Sequence, residues 1–161
     1  METLYEVIVV EGKQDKAQIK RYFDAIVIEV GGLSLRPDAL EKLDILANVL
    51  PLIGFFDPDS AGRKIAERLK KRYPTMRLAV LTSKAIRSKN GKKIGVAYAD
   101  EALLKAALYQ SGASLFLGSL DYTLLDLASV AFKAPFDKLD KKNKVALLNR
   151  KGEAVWISKQ H

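Results

Sequence analysis

Short apolar runs alternate with helix-like stretches through the first half of the chain, and this alternation limits the fold more than any other feature. Val7 to Val10, Ala25 to Val30, Leu52 to Phe56 and Arg77 to Leu81 all have strand length. The first of them extends back to Leu4, so Leu4 to Val10 reads as one buried strand. Between the runs, Ile19, Tyr22 and Phe23 give residues 15–23 an apolar face at three- and four-residue spacing. Pro37-Asp38 opens a second helix, because proline suits a first helical turn. Leu40, Leu43, Ile45, Leu46, Val49 and Leu50 form its wide apolar face. Ala61, Ile65 and Leu69 mark the inner stripe of a third helix, and residues 100–110 read as a fourth. Strand and helix in strict succession specify an α/β fold, with a mainly parallel sheet of about four strands and helices on both faces. Its crossovers are expected to be right-handed.

Ser111-Gly112 and Gly118-Ser119 punctuate the chain, so residues 1–112 are expected to form one domain and 119–161 a small basic appendage. Within the appendage, residues 121–132 look helical and Pro135 stops them. Residues 145–149 and 154–158 form either a hairpin or, in the first segment, a short helix. No apolar run approaches the roughly 18 residues that cross a bilayer, and no basic-then-apolar leader opens the chain. The expectation is a cytoplasmic protein without a membrane partner.

Two of the apolar runs end at carboxylates: Glu11-Gly12 follows Val10, and Asp57-Pro58-Asp59 follows Phe56. In open α/β sheets, ligands bind beyond the carboxyl ends of the strands. The composition narrows the chemistry available there. The absence of cysteine excludes thiol nucleophiles and cysteine–zinc sites, and a single histidine, His161, argues against a Ser-His-Asp triad or a two-histidine nuclease site. Mg²⁺ takes oxygen ligands, keeps several waters and needs only one or two carboxylates. An Asp-x-Asp loop beside a separate Glu therefore suits phosphodiester chemistry, with the Glu in proton transfer. The plainer alternative is that Asp57 or Asp59 shapes a turn, with Asp59 or Ser60 capping the next helix.

Lys and Arg number 27 against 19 Asp and Glu, a net charge of +8. Lys84, Arg87, Lys89, Lys92 and Lys93 fall between Thr82 and Gly95 with no acid among them. Such a loop either tracks a phosphate backbone or is an ordinary solvated loop. Lys13 sits at the mouth of the proposed site. Eight basic residues and three acids lie in 133–161 with Phe136 and Trp156 among them, either an RNA-stacking surface or a small core.

The pairing of a strand ending Glu11-Gly12 with a later strand ending Asp57-Pro58-Asp59, and Gly62 beyond it, resembles the Toprim domain. Within that superfamily the chain looks most like the ribonuclease M five family of 5S ribosomal RNA maturases. The resemblance covers residues 5–110. It rests on Val9 to Asp15, Ile19-Lys20-Arg21, the Asp-Pro-Asp stretch, Gly91 to Val96 and Ala106-Ala107-Leu108. It implies a metal-dependent endoribonuclease in which Glu11 is the general acid/base and a metal ligand. Asp57 and Asp59 would hold Mg²⁺ (or Mn²⁺), with Asp15 assisting. It further implies that structured RNA is bound through Lys13 and the basic loop, with a 5S rRNA precursor as substrate and a 5S-binding ribosomal protein as a further partner. The chain departs from that pattern in two places. Ala97 and Tyr98 stand where the family continues with Glu and His, and no Gly-Tyr-rich basic segment is found in 120–161. These departures keep open a Toprim module that binds nucleic acid without turnover. A DNA nuclease is the other alternative, and the missing cysteines and the length argue against primase and topoisomerase.

Overall fold

The computed structural model describes residues 2–48, 50–81, 95–113, 115–116, 145–148 and 154–157. In chain order the elements are β1 (Glu2–Leu4), β2 (Val7–Val10), α1 (Lys13–Tyr22), β3 (Phe23–Asp24), β4 (Val27–Glu29), α2 (Pro37–Leu46) and β5 (Leu52–Phe55). They continue with α3 (Ser60–Arg72), β6 (Arg77–Ala79), a 3-10 turn (Val96–Tyr98), α4 (Glu101–Gln110), β7 (Leu115–Phe116), β8 (Val145–Leu148) and β9 (Ala154–Ile157). The basic loop and the helix expected over 121–132 lie outside the described residues.

Four strands form the expected parallel sheet in the order β4-β2-β5-β6. Side chains alternate across it with the two-residue period of a strand. Val7, Val9, Ile28 and Leu52 pack under Ala39, Leu43 and Leu46 of α2 and Ile65 and Leu69 of α3. Ile8, Val10, Val27, Ile53 and Phe55 face Ile19 of α1 and Leu104, Ala107 and Leu108 of α4. Both faces are therefore covered, which is why β2 and β5 are apolar at every position. Each fully buried aliphatic side chain contributes about 2 kcal/mol. Gly54, in the middle of β5, has a packing reason. A Cβ there would lie 2.7 Å from Cε2 of Phe56 and 3.0 Å from Cδ2 of Leu78.

The structure corrects the reading of Leu4 to Val10 as one strand. A bend at Tyr5-Glu6 separates β1 from β2, and β1 joins a second, three-stranded sheet in the order β3-β1-β7. Glu6 at the bend is wholly buried and accepts a hydrogen bond from Nη2 of Arg77 at 3.3 Å. α1 also starts earlier than its apolar spacing indicated, at Lys13, and Phe23 leaves it to enter β3. In the C-terminal region the hairpin is observed: β8 pairs antiparallel with β9, Val145 opposite Ile157 and Leu148 opposite Ala154.

The strand order decides where the site lies. From β2 the chain moves through α1 to β4 on one side of the sheet. It then returns through α2 to β5 on the other side. The reversal leaves a crevice between the carboxyl ends of β2 and β5, the switch point at which α/β sheets bind ligands.

Candidate active site

Glu11 and Asp57 follow β2 and β5, neighbouring strands in register at Val9 and Gly54. Together with Asp15 and Asp59 they border one open cavity of about 520 Å³. Lys13 lines the same cavity, and Gly95, Ala97 and Tyr98 form part of its wall. All four acids singled out in the sequence are thus brought together with Lys13. Lys84, Arg87, Lys89, Lys92 and Lys93 lie outside the described residues.

Local backbone needs fix three of the four carboxylates. Asp59 is the N-cap of α3, its Oδ1 accepting from the Gly62 amide at 2.7 Å. Capping therefore falls to Asp59 rather than Ser60. Its other oxygen makes no hydrogen bond to a described residue, so the cap and a ligand role are compatible. Asp15, buried in the first turn of α1, reaches back to accept from the Gly12 amide at 3.0 Å, holding the turn that presents Glu11. Asp57 Oδ1 accepts from the Val96 amide at 2.8 Å. Glu11 is the exception: its side chain makes no hydrogen bond to a described residue, while its backbone oxygen is tied to the Gly31 amide at 2.8 Å.

The clustering has an electrostatic signature. Glu11 is pushed above the usual carboxylate range, first by burial and then by the negative charges of Asp15, Asp57 and Asp59. Burial is also the largest influence on Asp15 and raises it, with the Asp57 and Glu29 charges adding to the rise. Amide hydrogen bonds from Gly12 and Ala97 oppose it. Like charges gathered at one crevice disfavour ionisation unless a cation enters. Among the described residues no three acids converge closely enough to form a complete chelate. A Mg²⁺ ion that keeps most of its waters needs no such chelate, and Asp57 and Asp59, both on the cavity wall, are the carboxylates that would hold it.

Two glycines permit the geometry. A Cβ on Gly62 would overlap the Asp57 carbonyl oxygen, so the first turn of α3 can press on the Asp57 backbone only without a side chain there. A Cβ on Gly95 would fall 2.7 Å and 2.8 Å from the two Asp57 carboxylate oxygens. Sequence reasoning recognised Gly62 and the Gly95-Val96 pair as pattern residues. It missed that the 95–97 backbone clamps two of the acids, since amide donors leave no mark on side-chain identity. Tyr98 was noted only as a departure from the family pattern, and its place on the cavity wall was missed.

Comparisons with known proteins agree with this fold. Residues 6–96 match the family model described as the Toprim domain. A ribonuclease M5 of Lactococcus lactis is 39% identical over 103 residues, which are 64% of this chain and 50% of that protein. One from Mycoplasma pneumoniae is 38% identical over 104 residues, 65% of this chain and 58% of that protein. The chain thus spans little more than half the length of these curated relatives. A solved small TOPRIM domain protein from Bacillus stearothermophilus superposes with a TM-score of 0.52 at 19% identity. It covers 70% of this chain and 90% of its own, a likeness of fold. With a matching family model across the sheet and the acids at its switch point, the chain belongs to the Toprim domain family.

Proposed function

We propose that this chain is the catalytic part of a Mg²⁺-dependent endoribonuclease that cleaves structured RNA, with a 5S rRNA precursor as its substrate. The single observation that carries the reading is the convergence of Glu11, Asp15, Asp57 and Asp59 on one cavity at the switch point of the sheet. The ribonuclease M5 relatives support the choice of RNA.

In this reading Asp57 and Asp59 hold the ion, which screens phosphate charge and polarises a phosphoryl oxygen when bound. Glu11 moves the proton. With no hydrogen bond to a described residue, and with burial and the neighbouring acids raising its pKa, its carboxyl takes up a proton more readily than a free carboxyl and can give it to a leaving oxygen. Asp15 positions Glu11 by holding the Gly12 turn. Lys13, exposed at the rim, contacts a phosphate, and the basic loop Lys84, Arg87, Lys89, Lys92 and Lys93 follows the backbone beyond it. Residues 119–161 form a separate basic appendage, and a 5S-binding ribosomal protein presents the RNA. The place of action is the cytoplasm.

The test is direct. Purified protein incubated with labelled 5S precursor should cleave it in Mg²⁺ or Mn²⁺, stop on adding EDTA, and leave DNA of matched sequence intact. Absence of cleavage in either metal overturns the reading, and equal cleavage of DNA moves it to a DNA nuclease. Ala97 on the cavity wall, where the family pattern has an acid, favours one second reading: an RNA-binding Toprim module without turnover. That reading predicts salt-sensitive binding and no product.

A further inference from the structure

Tyr98 is 77% exposed, the most exposed large hydrophobic side chain among the described residues, and it lines the acidic cavity. Its side chain makes no hydrogen bond to a described residue and belongs to neither core cluster. The backbone beneath it is, by contrast, heavily tied. On one side Val96 is fully buried and its amide donates to Asp57. On the other Ala99 is fully buried, and its carbonyl accepts from Nε2 of Gln18 at 2.6 Å. The turn closes on itself through Tyr98 N–H to Gly95 O and Ala99 N–H to Val96 O, each 3.2 Å. An aromatic ring is therefore held out into solvent on a fixed pedestal, bonded through its backbone to one of the proposed metal ligands.

A single exposed aromatic ring is ordinary on a protein surface; what sets Tyr98 apart is that it lines the acidic cavity on backbone bonded to Asp57. Beside a site for phosphate chemistry, the covering group with the right shape is a nucleobase. Base faces are available only where the nucleotide is unpaired, and every base has one, so the contact is tolerant of sequence. Tyrosine suits the task because only two side-chain torsions are frozen on contact.

Resting on the reading of the cavity as a phosphate site, we propose that Tyr98 is a positioning residue that stacks on an unpaired base flanking the phosphate in the cavity. The preferred substrate is then RNA with an unstacked nucleotide at a helix end or bulge, and not uninterrupted duplex. The ring does the work, so Phe serves in place of Tyr and Ala does not.

The experiment measures binding in Ca²⁺, where turnover is suppressed, and follows cleavage separately in Mg²⁺. The probes are a hairpin RNA with a short unpaired extension carrying 2-aminopurine, the same RNA abasic at that nucleotide, and a blunt, fully paired hairpin. Stacking predicts fluorescence quenching by wild type and about tenfold weaker binding by Tyr98→Ala, some 1.4 kcal/mol. Tyr98→Phe should match wild type, and the Ala defect should vanish on the abasic and blunt RNAs. Equal binding of the extended RNA by wild type and Tyr98→Ala overturns the proposal. So does a defect that persists on the blunt hairpin, or wild type that binds none of the RNAs. Wild type that binds and quenches but never cleaves in Mg²⁺ overturns the nuclease reading while upholding the stacking contact.

Discussion

Gly62→Ala separates two physical expectations of opposite sign. Gly62 lies in the first turn of α3, where intrinsic helix propensity alone makes alanine better than glycine by up to about 1 kcal/mol. The packing argument predicts the reverse. The added Cβ would overlap the Asp57 carbonyl oxygen, with the Asp57 carbonyl carbon and nitrogen close behind at 3.1 and 3.2 Å. These are backbone atoms just after β5 and cannot rotate away as a side chain would. Overpacking of this kind costs about 1–3 kcal/mol. The displaced turn also weakens the Gly62–Asp59 cap, a contact worth about 1 kcal/mol. Setting a cost of about 3 kcal/mol against the propensity gain leaves a net loss of about 2 kcal/mol. For a chain of this size that lowers Tm by about 4–8 °C. Thermal unfolding followed by circular dichroism measures it, with Lys64→Ala against Lys64→Gly, at an exposed position of the same helix, as the propensity control. Gly62→Ala as stable as wild type, or more stable, would refute the close approach of α3 to Asp57.

Other outcomes follow from the same geometry. Glu11→Gln should stabilise the metal-free protein at neutral pH. A carboxyl whose folded pKa is raised contributes its stability below its unfolded pKa and loses it as pH rises through the folded value. The gain in Tm over wild type should therefore be present near pH 7 and absent near pH 4; a gain equal at both would contradict the electrostatic account. Mg²⁺ at a hundredfold excess over Kd should stabilise wild type by about 2.7 kcal/mol, read as a raised Tm, and should raise the Tm of Asp57→Ala much less. Tyr73 donates to Asp44 Oδ1 at 2.7 Å, and burial and that bond push its hydroxyl up to about 12. Tyr73→Phe should cost about 1 kcal/mol in urea unfolding, with no change in cleavage, because the exposed Asp44 carboxylate can be rehydrated.

The elements that carry the site were legible because their physics is local. The apolar runs at Val7 and Leu52 are buried on both faces, so their burial is written in consecutive residues. A cap of an ordinary type was readable at Asp59 or Ser60, and the Gly62 amide bonded to Asp59 decides between them. The break at Tyr5-Glu6 was hidden because Leu4 and Val7 are both fully buried, which makes two strands look like one. Its only trace was a charged residue inside an apolar run, and the Arg77 that bonds Glu6 lies 71 positions away. The clamp of Val96 on Asp57 spans 39 positions and uses a backbone amide, which any residue but proline supplies. Long-range backbone contacts of this kind are invisible to pattern and visible only in the fold.

The central claim is that the four acids at the switch point form a catalytic site with Glu11 as its proton carrier. Single-turnover cleavage of labelled 5S precursor RNA in Mg²⁺, by wild type and Glu11→Gln side by side with binding on the same RNA, tests it most directly. The variant should bind at least as tightly as wild type, having lost a negative charge, and cleave at least about a hundredfold more slowly. Cleavage by Glu11→Gln at the wild-type rate would contradict it.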